Sequence, residues 1–100
     1  MREREVVFAP EARDDLIAIY DWIARAAHPN TALSYVERIE AYCRGFSVAS
    51  ERGRLRDDIR PGLRIVGFEG RITIAFTVGE TRVVILRLFY GGRNWEALIE

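Results

Sequence analysis

A chain of 100 residues with 49% hydrophobic and 30% charged side chains suits one compact domain and excludes a disordered tail or a fibrous repeat. Fifteen arginines, with no lysine, balance fifteen acids to zero net charge, so no whole-molecule field draws the chain to nucleic acid or an anionic membrane, and a polyanion must meet a local patch of guanidinium forks. The single cysteine, Cys43, excludes an internal disulfide, the charged start MREREVVFAP does not read as a signal peptide, and no apolar run approaches a membrane span, so the expected setting is the cytoplasm.

Arg4 to Phe8 is a short β-branched and aromatic run that predicts a strand, and Pro10 then opens a helix at a first position, where a missing N–H costs nothing. Ala12, Leu16, Ile19, Tyr20, Ile23 and Ala27 recur at spacings of three and four, with Asp14, Ala18, Asp21 and Arg25 opposite. After Pro29, Asn30 is the expected cap of a second helix reaching about Val48, with Ala32, Tyr35, Val36, Ile39, Tyr42, Cys43 and Phe46 in one stripe. Gly45 weakens its end. The short turn between the helices predicts an antiparallel hairpin.

Ser50 to Gly62 is a polar, arginine-dense connection closed by Pro61 and Gly62. Three β runs follow, Leu63 to Phe68, Arg71 to Val78 and Arg82 to Tyr90, joined by glycine-containing hairpin turns into a meander. In the middle run Ile72, Ile74, Phe76 and Val78 alternate with Arg71, Thr73, Ala75 and Thr77, so the helices should cover the first set. The third run is apolar on both faces, as a central strand would be, yet simple alternation puts Arg87 with Val83, Ile85 and Phe89, where an arginine needs a reason.

Charge is uneven along the chain. Residues 1–43 hold five arginines and eight acids, a net of −3, whereas residues 44–93 hold ten arginines and five acids, a net of +5. Arg64, Arg71, Arg87 and Arg93 are candidate functional arginines, and an apolar helix-free face rimmed by them reads as a partner surface. One histidine and one cysteine far apart offer no metal spacing. The acid pairs Asp14/Asp15, Glu37/Glu40 and Asp57/Asp58 read as surface charges, and His28 as a helix-end contact. Gly91-Gly92 lacks the strand–glycine–helix setting of a phosphate loop, so neither a metal nor a cofactor is expected.

The order of elements, the connection IRPGLRI (residues 59–65), the closing RLFYGGRNWEALI (residues 87–99), and a first helix opening on Ala-Pro-Glu-Ala with Ala12, Asp15, Leu16, Ile19 and Trp22 after it resemble the RelE/ParE superfamily of toxins, and ParE more closely. The resemblance implies one α+β domain over residues 1–100, ordered β-α-α-β-β-β, with a helical hairpin on one face of a small, mainly antiparallel sheet. It further implies a toxin that inhibits DNA gyrase by binding, without chemistry of its own, and forms a hetero-oligomer with a ParD-like antitoxin. Neither membrane attachment nor sequence-specific DNA binding by the toxin alone is expected. On this resemblance Tyr90, Arg93, Asn94 and Trp95 are the target-binding residues, and Trp22, Arg60, Arg64, Arg71 and Arg87 the antitoxin-binding ones.

One departure bears on mechanism. ParE-like chains often carry histidine where this chain has Tyr90, and RelE-like messenger RNA endonucleases use a tyrosine near the end of the last strand. In that alternative Tyr90, Arg87, Arg64 and Arg71 would be catalytic. A guanidinium is a poor proton shuttle, however, and the chain has no lysine. A non-toxic antitoxin-binding relative is the remaining alternative.

Overall fold

The computed structural model describes residues 3–91 and 95–99. Strand β1 (Glu5–Phe8) leads through helices α1 (Pro10–Ala26) and α2 (Pro29–Arg44) and a 3-10 turn (Gly45–Ser47) to strands β2 (Arg54–Leu55), β3 (Leu63–Phe68), β4 (Ile72–Val78) and β5 (Arg82–Tyr90), then helix α3 (Trp95–Leu98). The five strands form one sheet in the order β1-β5-β4-β3-β2, with β1 parallel to β5 and the remaining pairs antiparallel. The expected α+β architecture is present, with β2 and α3 added to the predicted elements.

Helical periodicity decides the first core. Ala12, Leu16, Ile19 and Ile23 of α1 and Ala32, Tyr35, Ile39 and Cys43 of α2 are buried against Phe68, Ile72, Ile74, Phe76, Val83, Ile85 and Leu88 of the sheet. Ala27, assigned to this stripe by its spacing, is exposed because it is the residue on which α1 ends. The second helix ends at Arg44, short of Val48, and from Gly45 the chain tightens into the 3-10 turn that seats fully buried Phe46 against Phe76, ring centroids 4.6 Å apart. Asn30 is not the cap. His28 holds that position, its Nδ1 accepting from the Asn30 N–H at 3.0 Å, because Pro29 fills the first helical position and turns the imidazole over the free amide.

The sheet corrects the expected faces of β5. Ile85 pairs with Phe76 and Arg87 with Ala75, so Leu86 is an extra residue, a β-bulge that shifts the alternation by one. Val83 and Ile85 therefore face the helices, as do Leu88 and Tyr90 after the bulge, while Phe89 turns to the other face. That other face is not free of helix. Leu63, Ala75 and Phe89 are buried there with Ile99, and Ile59, Leu86 and Trp95 pack around them. The C-terminal segment thus covers the surface that was expected to await a partner.

Candidate functional site

The turn between β3 and β4 organises a concave region that holds several of the candidate residues. Glu69 and Gly70 both adopt positive φ, 53° and 68°, and the Arg71 N–H donates to the Phe68 carbonyl at 3.0 Å, which closes a tight turn between the paired Phe68 and Ile72. Glu69 is a non-glycine in a left-handed conformation, and its carboxylate receives two hydrogen bonds from Arg38 of α2, at 3.0 and 3.1 Å. The Gly91 N–H donates to the Arg71 carbonyl at 2.8 Å, so the end of β5 lies against this turn. Tyr90, on the helix face after the bulge, meets Trp22 of α1 with ring centroids 4.6 Å apart, and Trp22 stays half exposed.

These contacts enclose a half-open cavity of about 380 Å³ between the tip of the helical hairpin and the sheet, lined by Trp22, Tyr35, Arg38, Glu69, Arg71 and Tyr90 among others. A second, more apolar cavity of about 520 Å³ shares the Trp22–Tyr90 wall and adds Arg25 and Leu88. Hydrogen bonds from Arg38 hold Glu69 below the ordinary carboxylate range, while burial, reinforced by the Glu69 charge, pushes the Tyr35 hydroxyl up. Neither group is placed to exchange a proton near neutrality.

The candidate residues do not converge on one site. Trp22, Arg71 and Tyr90 come together here. Arg87 lies where β1 has ended and the outer edge of β5 is uncovered; its Nε and Nη2 donate to Asp15 of α1 at 2.8 and 3.1 Å, and the same carboxylate accepts the Leu88 N–H at 2.8 Å. This pairing, on a pair of largely buried side chains, is the reason an arginine stands in an apolar strand. Asp15, read from sequence as a surface charge, is a structural residue. Arg64 shares the helix side with Phe76 by register and donates to the Arg52 carbonyl at 3.3 Å. Arg60, exposed, borders a cleft with Arg87 and Ile99. Among the described residues, Arg64, Arg71 and Arg87 therefore do not rim one apolar face, because bulge, turn and edge send these side chains to separate places.

Trp95 lies at the second core with Arg56 over its ring at 5.3 Å, and Arg56 is paired with Glu96 at 2.7 Å and Asp58 at 2.8 Å. Arg93 and Asn94 lie outside the described residues. Sequence reasoning missed Tyr35, Arg38 and Glu69 as members of the concave region. A Tyr-x-x-Arg step on one helix face was visible, but the partner turn lies 31 residues beyond Arg38 and nothing local joins them. Among the described residues no cluster of His, Cys, Asp and Glu could hold a metal ion, and no helix is long and apolar enough to cross a membrane.

The family model described as "ParE toxin of type II toxin-antitoxin system, parDE" matches residues 6–95, and the chain belongs to that family. Among solved structures, a chain of "Chromosomal ParDE TA system from P. aeruginosa" is 26% identical with a TM-score of 0.77, the match covering 89% of this chain and 97% of that one. A chain of the toxin–antitoxin complex RelBE2 from Mycobacterium tuberculosis, 20% identical with a TM-score of 0.68 and covering 93% and 97%, shares the fold. No curated protein matches the sequence.

Proposed function

We propose that this toxin arrests growth by binding DNA gyrase, without chemistry of its own, and that a ParD-like antitoxin neutralises it in a hetero-oligomer. The observation that carries the binding-only reading is the state of the groups around Tyr90. In the 380 Å³ cavity beside Tyr90 the carboxylate, Glu69, is consumed by Arg38, burial pushes the Tyr35 hydroxyl up, and the other ionisable group is the Arg71 guanidinium, while Asp15 of the adjoining cavity is taken up by Arg87. Cleaving RNA needs a base for the 2′-hydroxyl and an acid for the leaving oxygen, and this set supplies neither readily. Tyr90 with Trp95, and with Arg93 and Asn94, is offered to gyrase. Trp22 and Arg71 at the concave region, with Arg60, Arg64 and Arg87 elsewhere, are offered to the antitoxin, an acidic amphipathic segment that the net charge of +5 over residues 44–93 would steer.

Purified gyrase with the toxin should lose supercoiling activity, while primer extension after induction should show no new transcript ends. Intact supercoiling with ribosome-dependent cleavage within messages would replace this reading with the endonuclease one, and unchanged growth on induction alone would leave an inert antitoxin-binding relative. Co-expression with the neighbouring small open reading frame should yield a stable complex; failure of every adjacent product to bind overturns the antitoxin assignment.

A further inference from the structure

Tyr35 is nine-tenths buried, 8% exposed, with its ring fixed edge-on to Phe68 at 6.0 Å and beneath the Arg38 guanidinium at 4.9 Å. Its hydroxyl is sealed from solvent and has no hydrogen-bond partner, the one side-chain atom in that state among the described residues. An unmade buried hydrogen bond of this kind is destabilising, and a phenylalanine would fill the same ring position without that penalty. Tyr35 is one of the residues lining the 380 Å³ cavity, in which Arg71 makes no side-chain hydrogen bond or ion pair among the described residues. Arg38 and Arg71 against Glu69 leave one positive charge, and Trp22, Ile23 and Ala26 supply apolar wall.

We propose that this cavity binds a carboxylate carried on an apolar stem. Arg71 takes the charge, the stem lies along Ile23 and Trp22, and the Tyr35 hydroxyl donates to one carboxylate oxygen once the side chains at the mouth move aside. A single net positive charge and apolar walls favour such a monoanion over a phosphate dianion. The same chemistry is carried by a free aliphatic acid and by a glutamate side chain on a polypeptide. The site stands independently of whether gyrase is the target.

The test is an NMR titration of the full chain with butyrate, with N-acetyl-glutamate methylamide, and with the neutral glutamine counterpart, following the Arg71 and Gly91 amides and the Trp22 indole. Both acids should give saturable shifts and the glutamine compound none; the tighter of the two acids identifies a free acid or a polypeptide side chain as the source. Arg71→Met should abolish binding. Tyr35→Phe should weaken it roughly tenfold, the loss of one charge-assisted hydrogen bond, while leaving the melting temperature unchanged or raised. A purely structural hydroxyl would lower the melting temperature and spare affinity, which overturns the proposal. An equal response to the glutamine compound, no saturable shift, or a hydroxyl satisfied by an ordered water only, seen as Tyr35→Phe binding like wild type, overturns it as well.

Discussion

Replacing Asp15 by alanine should unfold the chain at markedly lower denaturant, although Asp15 sits on an acidic surface of α1 next to exposed Asp14. Its carboxylate accepts from Arg87 Nε, Arg87 Nη2 and the Leu88 N–H at 2.8, 3.1 and 2.8 Å, with the two side chains only 14% and 26% exposed. Hydrogen bonds to a charged group are worth about 1.5–3 kcal/mol each, do not add fully, and leave unsatisfied donors behind when the acceptor goes. The expected loss is about 2–4 kcal/mol. At about 4–8 °C per kcal/mol for a domain of this size, the melting temperature should fall by roughly 10 °C or more. Asp15→Asn, which keeps an oxygen for the Leu88 N–H but loses the charge facing Arg87, should fall between. Urea unfolding of Asp15→Ala, Arg87→Ala and the double variant should give a coupling of about 1–3 kcal/mol. The control is the half-exposed Arg38–Glu69 pair, 50% and 40% exposed, where Arg38→Ala should shift the urea midpoint far less than Asp15→Ala does. If Asp15→Ala costs as little as Arg38→Ala, the claim that this carboxylate closes the uncovered edge of β5 is wrong.

Gly53→Ala and Gly70→Ala both place a methyl at positive φ, but a Cβ on Gly53 would collide with the Ile65 carbonyl oxygen while one on Gly70 meets open space. Gly70→Ala should cost about 1–2 kcal/mol, the left-handed penalty alone, and Gly53→Ala clearly more, read from denaturant midpoints. Burial pushes the Cys43 thiol up to about 12, so a thiol reagent at neutral pH should modify it only at the rate of global unfolding, and rapid labelling of the folded chain would contradict the placement. Hydrogen bonds from Arg38 and Arg56 hold Glu69 and Asp58 below the ordinary carboxylate range. Their contribution to stability is then present above the unfolded value near about pH 4 and lost as pH falls through the folded values; a Glu69→Gln, Asp58→Asn double variant should show a flatter decline of melting temperature with acid.

What the sequence determined by itself is whatever repeats over neighbouring residues. The three-and-four spacing of Leu16, Ile19 and Ile23, and of Ala32, Tyr35, Ile39 and Cys43, chose the buried faces of both helices, and the alternation through Ile72, Ile74 and Phe76 chose the inner face of β4. The order of the elements together with the closing motif suggested the family. Tertiary structure decided the rest, because each remaining feature is a pairing between distant positions. Leu86 becomes a bulge only against β4, and that one residue sends Phe89 to the second core and Tyr90 to the helix side. Asp15 finds Arg87 across 72 positions of chain, and that pairing gives an arginine in an apolar strand its structural partner. Arg71, Tyr35 and Tyr90 belong to three different elements, and only the tight turn at Glu69–Gly70 and the docking of the helical hairpin bring them to one cavity. Local periodicity carries no record of such meetings, since a side chain's face is set by its neighbours but its partner is set by how whole elements pack.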